Sequence, residues 1–228
     1  MPLSFVVKGW SEYCMKNPEF PIAKEGFPFI LFCGFVTLIC SILGYQVAAT
    51  AGLLTTGFVT WFFRDPFRIH PEDNEAFVCP ADGKIIFVDE IFDDRFLQQQ
   101  VIKISIFMNI FNVHVNRIPY PGTVKRVLFK PGKFYSADKD KAALHNEYCA
   151  MIIATSSGQQ YGVVQVAGLI ARRILCWTET GDLVKTGQRY GLIRFGSRVD
   201  LYLPLGAGVE VKMGQKVKAG ETILANMH

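Results

Sequence analysis

The sequence predicts a mainly β protein, a barrel or sandwich, preceded by an N-terminal amphipathic helix and a hydrophobic helical hairpin. Three observations predict it. Residues 26–63 contain no Lys, Arg, Asp, Glu or His. After Pro66 the chain turns into short β-rich runs broken by Gly, Pro, Asn and Asp. Little beyond Arg64 has the length and period of a long helix. The 228 residues suffice for one good-sized core and an accessory segment. The expected division is a membrane-associating helical segment, 1–65, and a β-rich catalytic domain, 66–228.

Taken in order, Leu3, Val6, Val7, Trp10 and Cys14 recur at helical spacing, with Lys8, Glu12 and Lys16 largely off the stripe. That pattern reads as a short amphipathic helix, lying at a membrane interface or packed on the protein's own core. The uncharged run follows. At ~1.5 Å per residue it reaches roughly 57 Å, nearly two bilayer cores of about 30 Å. Gly44-Tyr45-Gln46 weakens its centre, so two helices are expected, about 27–43 and 48–63, which span the bilayer or dip into it. Their ends return to one side. Lys24, Arg64 and Arg68 flank those ends and argue for the cytoplasmic face of the cell membrane, and Trp61, Phe62 and Phe63 resemble an interfacial aromatic belt. A hairpin buried in a soluble protein fits the same short lengths. A signal peptide does not fit, because the run starts late and is too long.

Candidate strands are 84–88, 101–107, 123–130, 149–155, 161–166, 170–177, 190–193, 198–203, 209–211 and 222–224. Their number and spacing imply a barrel or sandwich rather than βαβ units. Val184-Lys185-Thr186-Gly187-Gln188 is echoed by Val217-Lys218-Ala219-Gly220-Glu221, each running into a β-like stretch. Such turns resemble the paired hairpins of biotinyl/lipoyl-type barrels, although no lysine has the setting of a carrier.

An apolar share of 50% with 19% charged residues excludes a disordered chain. A net charge of +4 is too weak for a nucleic-acid footprint, so no nucleic acid is expected as a partner, and it suits an anionic membrane surface. Cys14, Cys33, Cys40, Cys79, Cys149 and Cys176 form no C-x-x-C pair and no zinc pattern, so free thiols in a reducing compartment are expected. The histidines, His70, His114, His145 and His228, are scattered, and no metal site is expected. Phosphate-binding loops, dinucleotide fingerprints and nucleophile elbows are absent from the sequence.

Three stretches stand out: Pro80-Ala81-Asp82-Gly83-Lys84, Asn112-Val113-His114-Val115-Asn116-Arg117, and Gly191 to Asp200 with Gly196-Ser197 inside it. They put an Asp, a His and a Ser at strand ends or turns. Singly, each has a plain structural reading: a turn, a strand histidine and a bulge.

Together they resemble the phosphatidylserine decarboxylase proenzymes, in their short, single-domain, pyruvoyl-dependent form. The resemblance spans the uncharged run, W-F-F-R-D-P at 61–66, P-A-D-G, V-H-V-N-R, H-N-E at 145–147, A-R-R-I at 171–174 and R-F-G-S-R-V-D at 194–200. It implies autocatalytic serinolysis between Gly196 and Ser197, giving a β chain, 1–196, and an α chain, 197–228, that stay associated as a heterodimer, with further oligomerisation open. Ser197 Oγ attacks the Gly196 carbonyl, His114 is the base, and Asp82 holds the imidazole. Ser197 ends as a covalent pyruvoyl cofactor, whose keto group forms a Schiff base with the substrate amine and accepts the electrons released with CO₂. Phosphatidylserine becomes phosphatidylethanolamine, while its acyl chains stay in the membrane. Arg117, His145, Arg172 and Arg173 are possible substrate contacts. Longer members carry a second histidine at the position of Phe111, so either His114 or His145 is left to protonate the product.

Two other classes compete. A membrane-tethered β-barrel binding or scaffold protein predicts an intact chain indifferent to His114→Ala. A Ser-His-Asp hydrolase predicts an intact, reactive Ser197, without the nucleophile elbow such enzymes use.

Overall fold

Where apolar residues alternate between two faces, strands pair; where they fill every position, the chain buries both faces or meets lipid. Both regimes occur in the computed structural model, which describes residues 21–73, 75–132, 135, 145–168, 173–194 and 197–227. The chain falls into two units, Met1–Phe67 and Arg68–His228. The expected amphipathic helix lies outside the described residues.

In the first unit a 3₁₀ turn, Lys24–Gly26, leads into α1, Phe27–Ile42, with Pro28 in its first turn where a missing N–H is harmless. Gly44, at φ +77°, makes the reversal into α2, Gln46–Phe62. The helices touch where Thr37 meets Gly52 and Thr56: a Cβ at Gly52 would lie 2.5 Å from the Thr37 hydroxyl. Thr50, Thr55, Thr56 and Thr60 return their hydroxyls to the carbonyl four residues back, which satisfies these four groups on an apolar surface. At the open end the Ala23 N–H donates to the Phe63 carbonyl, and the rings of Phe29 and Phe63 stack at 5.6 Å. Lys24–Ile42 is long and apolar enough to cross a membrane, and only 6% of its most apolar stretch is buried.

The second unit holds fourteen strands among the described residues: β1 Ala76–Val78, β2 Gly83–Asp93, β3 Gln99–Met108, β4 Val115–Arg117, β5 Gly122–Lys130, β6 Tyr148–Ala154, β7 Gln160–Ala167, β8 Ile174–Cys176, β9 Leu183–Val184, β10 Arg189–Ile193, β11 Ser197–Pro204, β12 Gly208–Val209, β13 Lys216–Val217 and β14 Ile223–Asn226. Eight form one curled antiparallel sheet in the order β13-β2-β3-β11-β7-β6-β5-β9, and two three-stranded sheets read β1-β14-β12 and β4-β10-β8. This order is palindromic. β13 matches β9, β2 matches β5, β3 matches β6 and β11 matches β7, and the two small sheets match strand for strand. The repeated V-x-x-G-[QE] turns are one trace of it: Gly187 and Gly220 hold φ of +75° and +73°, and each N–H donates to the matching carbonyl of its own half, Ile118 and Cys79. The bulges are another, at Ile85/Phe87 in β2 and Val124/Arg126 in β5, each just after the strand's opening glycine.

The centre of the palindrome is the β11–β7 pair. On β11, Val199, Leu201 and Leu203 enter the main core with Ile104, Ile106, Met151 and Tyr161. Tyr202 joins a smaller cluster on the other face, with Phe96, Val101 and Val164. Ser197 shares the parity of Val199 and so belongs to the main-core side.

Candidate active site

β11 begins at Ser197, clamped on both sides: Ser197 pairs with Met108 on β3 and Ala167 on β7. One row further in, Lys84, Phe107 and Arg198 align across β2, β3 and β11. Asp82 and Gly83 therefore sit at the same end of the sheet as Ser197, two strands away. Gly83 is required there, since a Cβ would run into the Phe107 carbonyl.

Ser197 is fully buried, and its Oγ has no hydrogen-bond partner among the described residues. Close by, the Gln165 amide donates to Asn116 Oδ1 at 2.8 Å, and Asn116 Nδ2 lies 3.6 Å from the sulfur of Met108, the residue paired with Ser197. Gln165 Oε1 is likewise buried without a partner. Neither amide was singled out from the sequence. The available sign was Gln165 standing inside an otherwise apolar strand, where burial on both faces demands a purpose for a polar group.

His114 is 1% exposed and lies just before β4; its carbonyl accepts the Ile193 N–H at 3.3 Å. That bond fixes His114 to the strand that leads into residues 194–197. Asp82 is also buried, and each of its carboxylate oxygens has a partner. Oδ1 accepts the Ala219 N–H at 2.8 Å, and Oδ2 pairs with Arg68 Nη2 at 2.8 Å. Arg68 continues to Glu221 Oε1 at 3.1 Å. Burial works against the Glu221 carboxylate, yet the hydrogen bond and charge of Arg68, with Lys218, hold it below its ordinary pKa. Arg68 is the residue that sequence reading missed here, because it looked only like a basic flank of the apolar run.

The other expected contacts separate. Arg117 is buried and donates to the Gly187 carbonyl at 3.0 Å, which ties it to the repeat turns. His145 is exposed, its ring edge-on to Tyr135 at 6.2 Å. Its neighbour Asn146 is buried, bonded to both backbone groups of Tyr135 and to the carbonyl of Ala167, the partner of Ser197. Arg173 is exposed and lines a cavity of about 710 Å³ with Glu147, Phe129, Cys149, Cys176 and Thr178. Phe111 is 59% exposed on a turn closed by the side chains of Asn109 and Asn112. Gly196 and Arg172 lie outside the described residues.

On the opposite face of the sheet, Arg198 bridges Asp200 and the Ser105 hydroxyl, and Lys103 reaches Asp200 at 3.4 Å. This buried network anchors the strand that starts at Ser197.

A family model described as "Phosphatidylserine decarboxylase" matches residues 55–225. Curated relatives agree. A phosphatidylserine decarboxylase proenzyme of Desulfotalea psychrophila is 50% identical over 213 residues, covering 93% of this chain and 100% of that protein. One from Geotalea uraniireducens is 48% identical over 210 residues, covering 92% and 98%. Another, from Syntrophus aciditrophicus, is 48% identical over 211 residues, covering 92% and 99%.

Proposed function

We propose how this chain, which belongs to the phosphatidylserine decarboxylase family, decarboxylates phosphatidylserine to phosphatidylethanolamine: through a pyruvoyl group made from its own Ser197. The observation that carries the reading is the buried, unpartnered Ser197 hydroxyl at the head of the central strand. Leaving such a group unsatisfied costs about 1–3 kcal/mol. Such a cost is expected to persist where it serves a reaction. The residues fit the group. Position 197 is held from both sides by β3 and β7, so a new N-terminus there stays in place after the chain is cut.

In this reading Ser197 Oγ attacks the Gly196 carbonyl and His114 takes the hydroxyl proton. The amide becomes an ester. Elimination then frees the Gly196 carboxylate and leaves an enamine at residue 197, which takes up one water and releases ammonia. Asp82 holds the imidazole in this reading, and Arg68 and Ala219 fix its carboxylate at the turn that opens β2. Once formed, the pyruvoyl group supplies an electron sink for the pair released as CO₂ departs. The chain's own residues do the rest. Arg173, exposed at the rim of its cavity, contacts the lipid phosphate or carboxylate. His114 or His145 returns the proton to the product. The 1–196 and 197–228 chains remain one heterodimer, because β11 lies between β3 and β7.

The protein acts at a membrane. Leu31, Phe32, Ile42, Val47 and Leu54 in α1 and α2 are 69%, 68%, 75%, 86% and 72% exposed. Helices of a soluble core bury that surface. Lys24, Arg64 and Arg68 support the cytoplasmic face. The catalytic domain is 66–228, carried by the 1–65 segment.

Intact-mass measurement on the detergent-purified chain tests the reading. Two chains, of 196 and 32 residues, the shorter starting in pyruvoyl, are expected, and Ser197→Ala leaves one chain. A wild-type chain that stays whole after incubation with membranes overturns it.

A further inference from the structure

Two thiols lie in the same domain and take no part in this chemistry. Cys149 sits on β6 and Cys176 on β8, and both line the 710 Å³ cavity beside Arg173 and Thr178. The Cys149 and Cys176 thiols are close enough to interact, and the Cys176 sulfur also lies 3.3 Å from the Thr178 hydroxyl. We propose that Cys149 and Cys176 form a reactive dithiol that closes to a disulfide by exchange with a low-molecular-weight disulfide of the glutathione class.

The surroundings assign the roles. The hydrogen bond from Cys149 lowers the Cys176 pKa to about 6, against its burial, and Thr178 assists. The same bond and burial push Cys149 up. Cys176 is therefore the thiolate that attacks, and Cys149 the protonated partner that resolves. Cys176 sulfur bonds to one sulfur of the oxidant, the oxidant's S–S bond breaks, and one thiolate leaves. Cys149 then gives up its proton, attacks the Cys176 sulfur and expels the second thiolate. Two protein thiols are oxidised by two electrons, and the small disulfide is reduced to two thiols. Cys79 offers no rival: it is fully buried, its thiol donates to the Ala81 carbonyl, and burial pushes its pKa up.

The test uses the full chain in detergent, exposed to oxidised glutathione, then denatured and alkylated. Of six cysteines, four should be alkylated, and peptide mapping should find a 149–176 cross-link. In Cys149→Ser a glutathione adduct of about 305 Da should accumulate on Cys176, because nothing resolves it. In Cys176→Ser, Cys149 should gain none. Six alkylated thiols after oxidation, or a cross-link on any other pair, overturns the proposal. The wild-type map decides it even if a serine variant fails to fold.

Discussion

Arg68 Nη2 stands 2.8 Å from Asp82 Oδ2, and the second oxygen of that carboxylate takes the Ala219 N–H at 2.8 Å. The buried aspartate of the candidate site is thus held by an arginine fourteen positions before it and by a turn near the C-terminus. Both side chains of the pair are shielded, at 9% and 12% exposure. Removing one partner of such a pair strands the other. Arg68→Ala should lower stability by about 3 kcal/mol, a fall in Tm of roughly 6–12 °C, and slow self-cleavage. Arg68→Lys should restore part of both. Thermal unfolding in a Ser197→Ala background, where no cleavage intervenes, isolates the stability effect. An unchanged Tm would refute the positioning role.

The unpartnered Ser197 hydroxyl predicts an opposite sign. With His114→Ala as the background, so that the chain stays whole, adding Ser197→Ala should raise stability by about 1 kcal/mol, because a buried group without a partner is removed. Urea unfolding of the single and double variants measures the difference. A loss of stability would mean that the hydroxyl has a partner outside the described residues.

Much of the sheet was legible because its strands are rich in β-branched and aromatic residues and are bounded by turn residues. β3, β5, β7, β10 and β11 begin and end within two residues of expectation. The strands that escaped were β1, β4, β9 and β13, two or three residues each. No periodicity exists over so short a stretch; these strands form because a partner distant in sequence, β14, β10, β5 and β2 respectively, offers an edge. The 170–177 strand shrank to Ile174–Cys176, with its first three residues outside the described set. At the site, Ser197 and His114 could be picked out because the Gly196-Ser197 and Val113-His114-Val115-Asn116-Arg117 motifs together resemble the family's. Arg68, Asn116, Asn146 and Gln165 could not, since each matters only through a partner distant in sequence.

The two opening glycines should respond unlike the turn glycines. At Gly83 a new Cβ meets the Phe107 carbonyl and at Gly122 the Ala154 carbonyl, both backbone and unable to move aside. Gly83→Ala should therefore prevent folding and cleavage together. Gly214, at φ +91° with only the flexible end of Lys84 nearby, should lose about 1–2 kcal/mol on change to alanine and still be cleaved. Gel analysis of cleavage beside circular dichroism separates the cases, and a folded, cleaved Gly83→Ala would contradict the packing described.

Acid should release the Glu221 link. Its pKa is lowered in the folded state, so the carboxylate adds stability above its unfolded pKa, and that stability is lost as pH falls through the lower folded value. Being one-third exposed, Glu221 contributes under about 1 kcal/mol. Glu221→Gln should thus be slightly less stable than wild type at pH 7, and the gap should close at an acid pH well below the ordinary carboxylate range, where both side chains are neutral. Denaturant midpoints at the two pH values give the comparison, and a gap that widens in acid would reverse the sign.

The exposed apolar surface of α1 and α2 sets the last expectation. Phe32 and Leu54 are 68% and 72% exposed. In lipid, a carboxylate at either position is costly, about 2–3 kcal/mol for each near the bilayer centre. In water it is tolerated, because surface substitutions usually change stability by less than about 0.5 kcal/mol. Phe32→Glu with Leu54→Glu should therefore shift the chain from floating with anionic vesicles to the soluble fraction, while self-cleavage in the β domain proceeds at the wild-type rate. Flotation and cleavage are read on the same sample. A double variant that floats like wild type would show that this surface is not what holds the chain to lipid, and the segment before residue 21 would become the next to test.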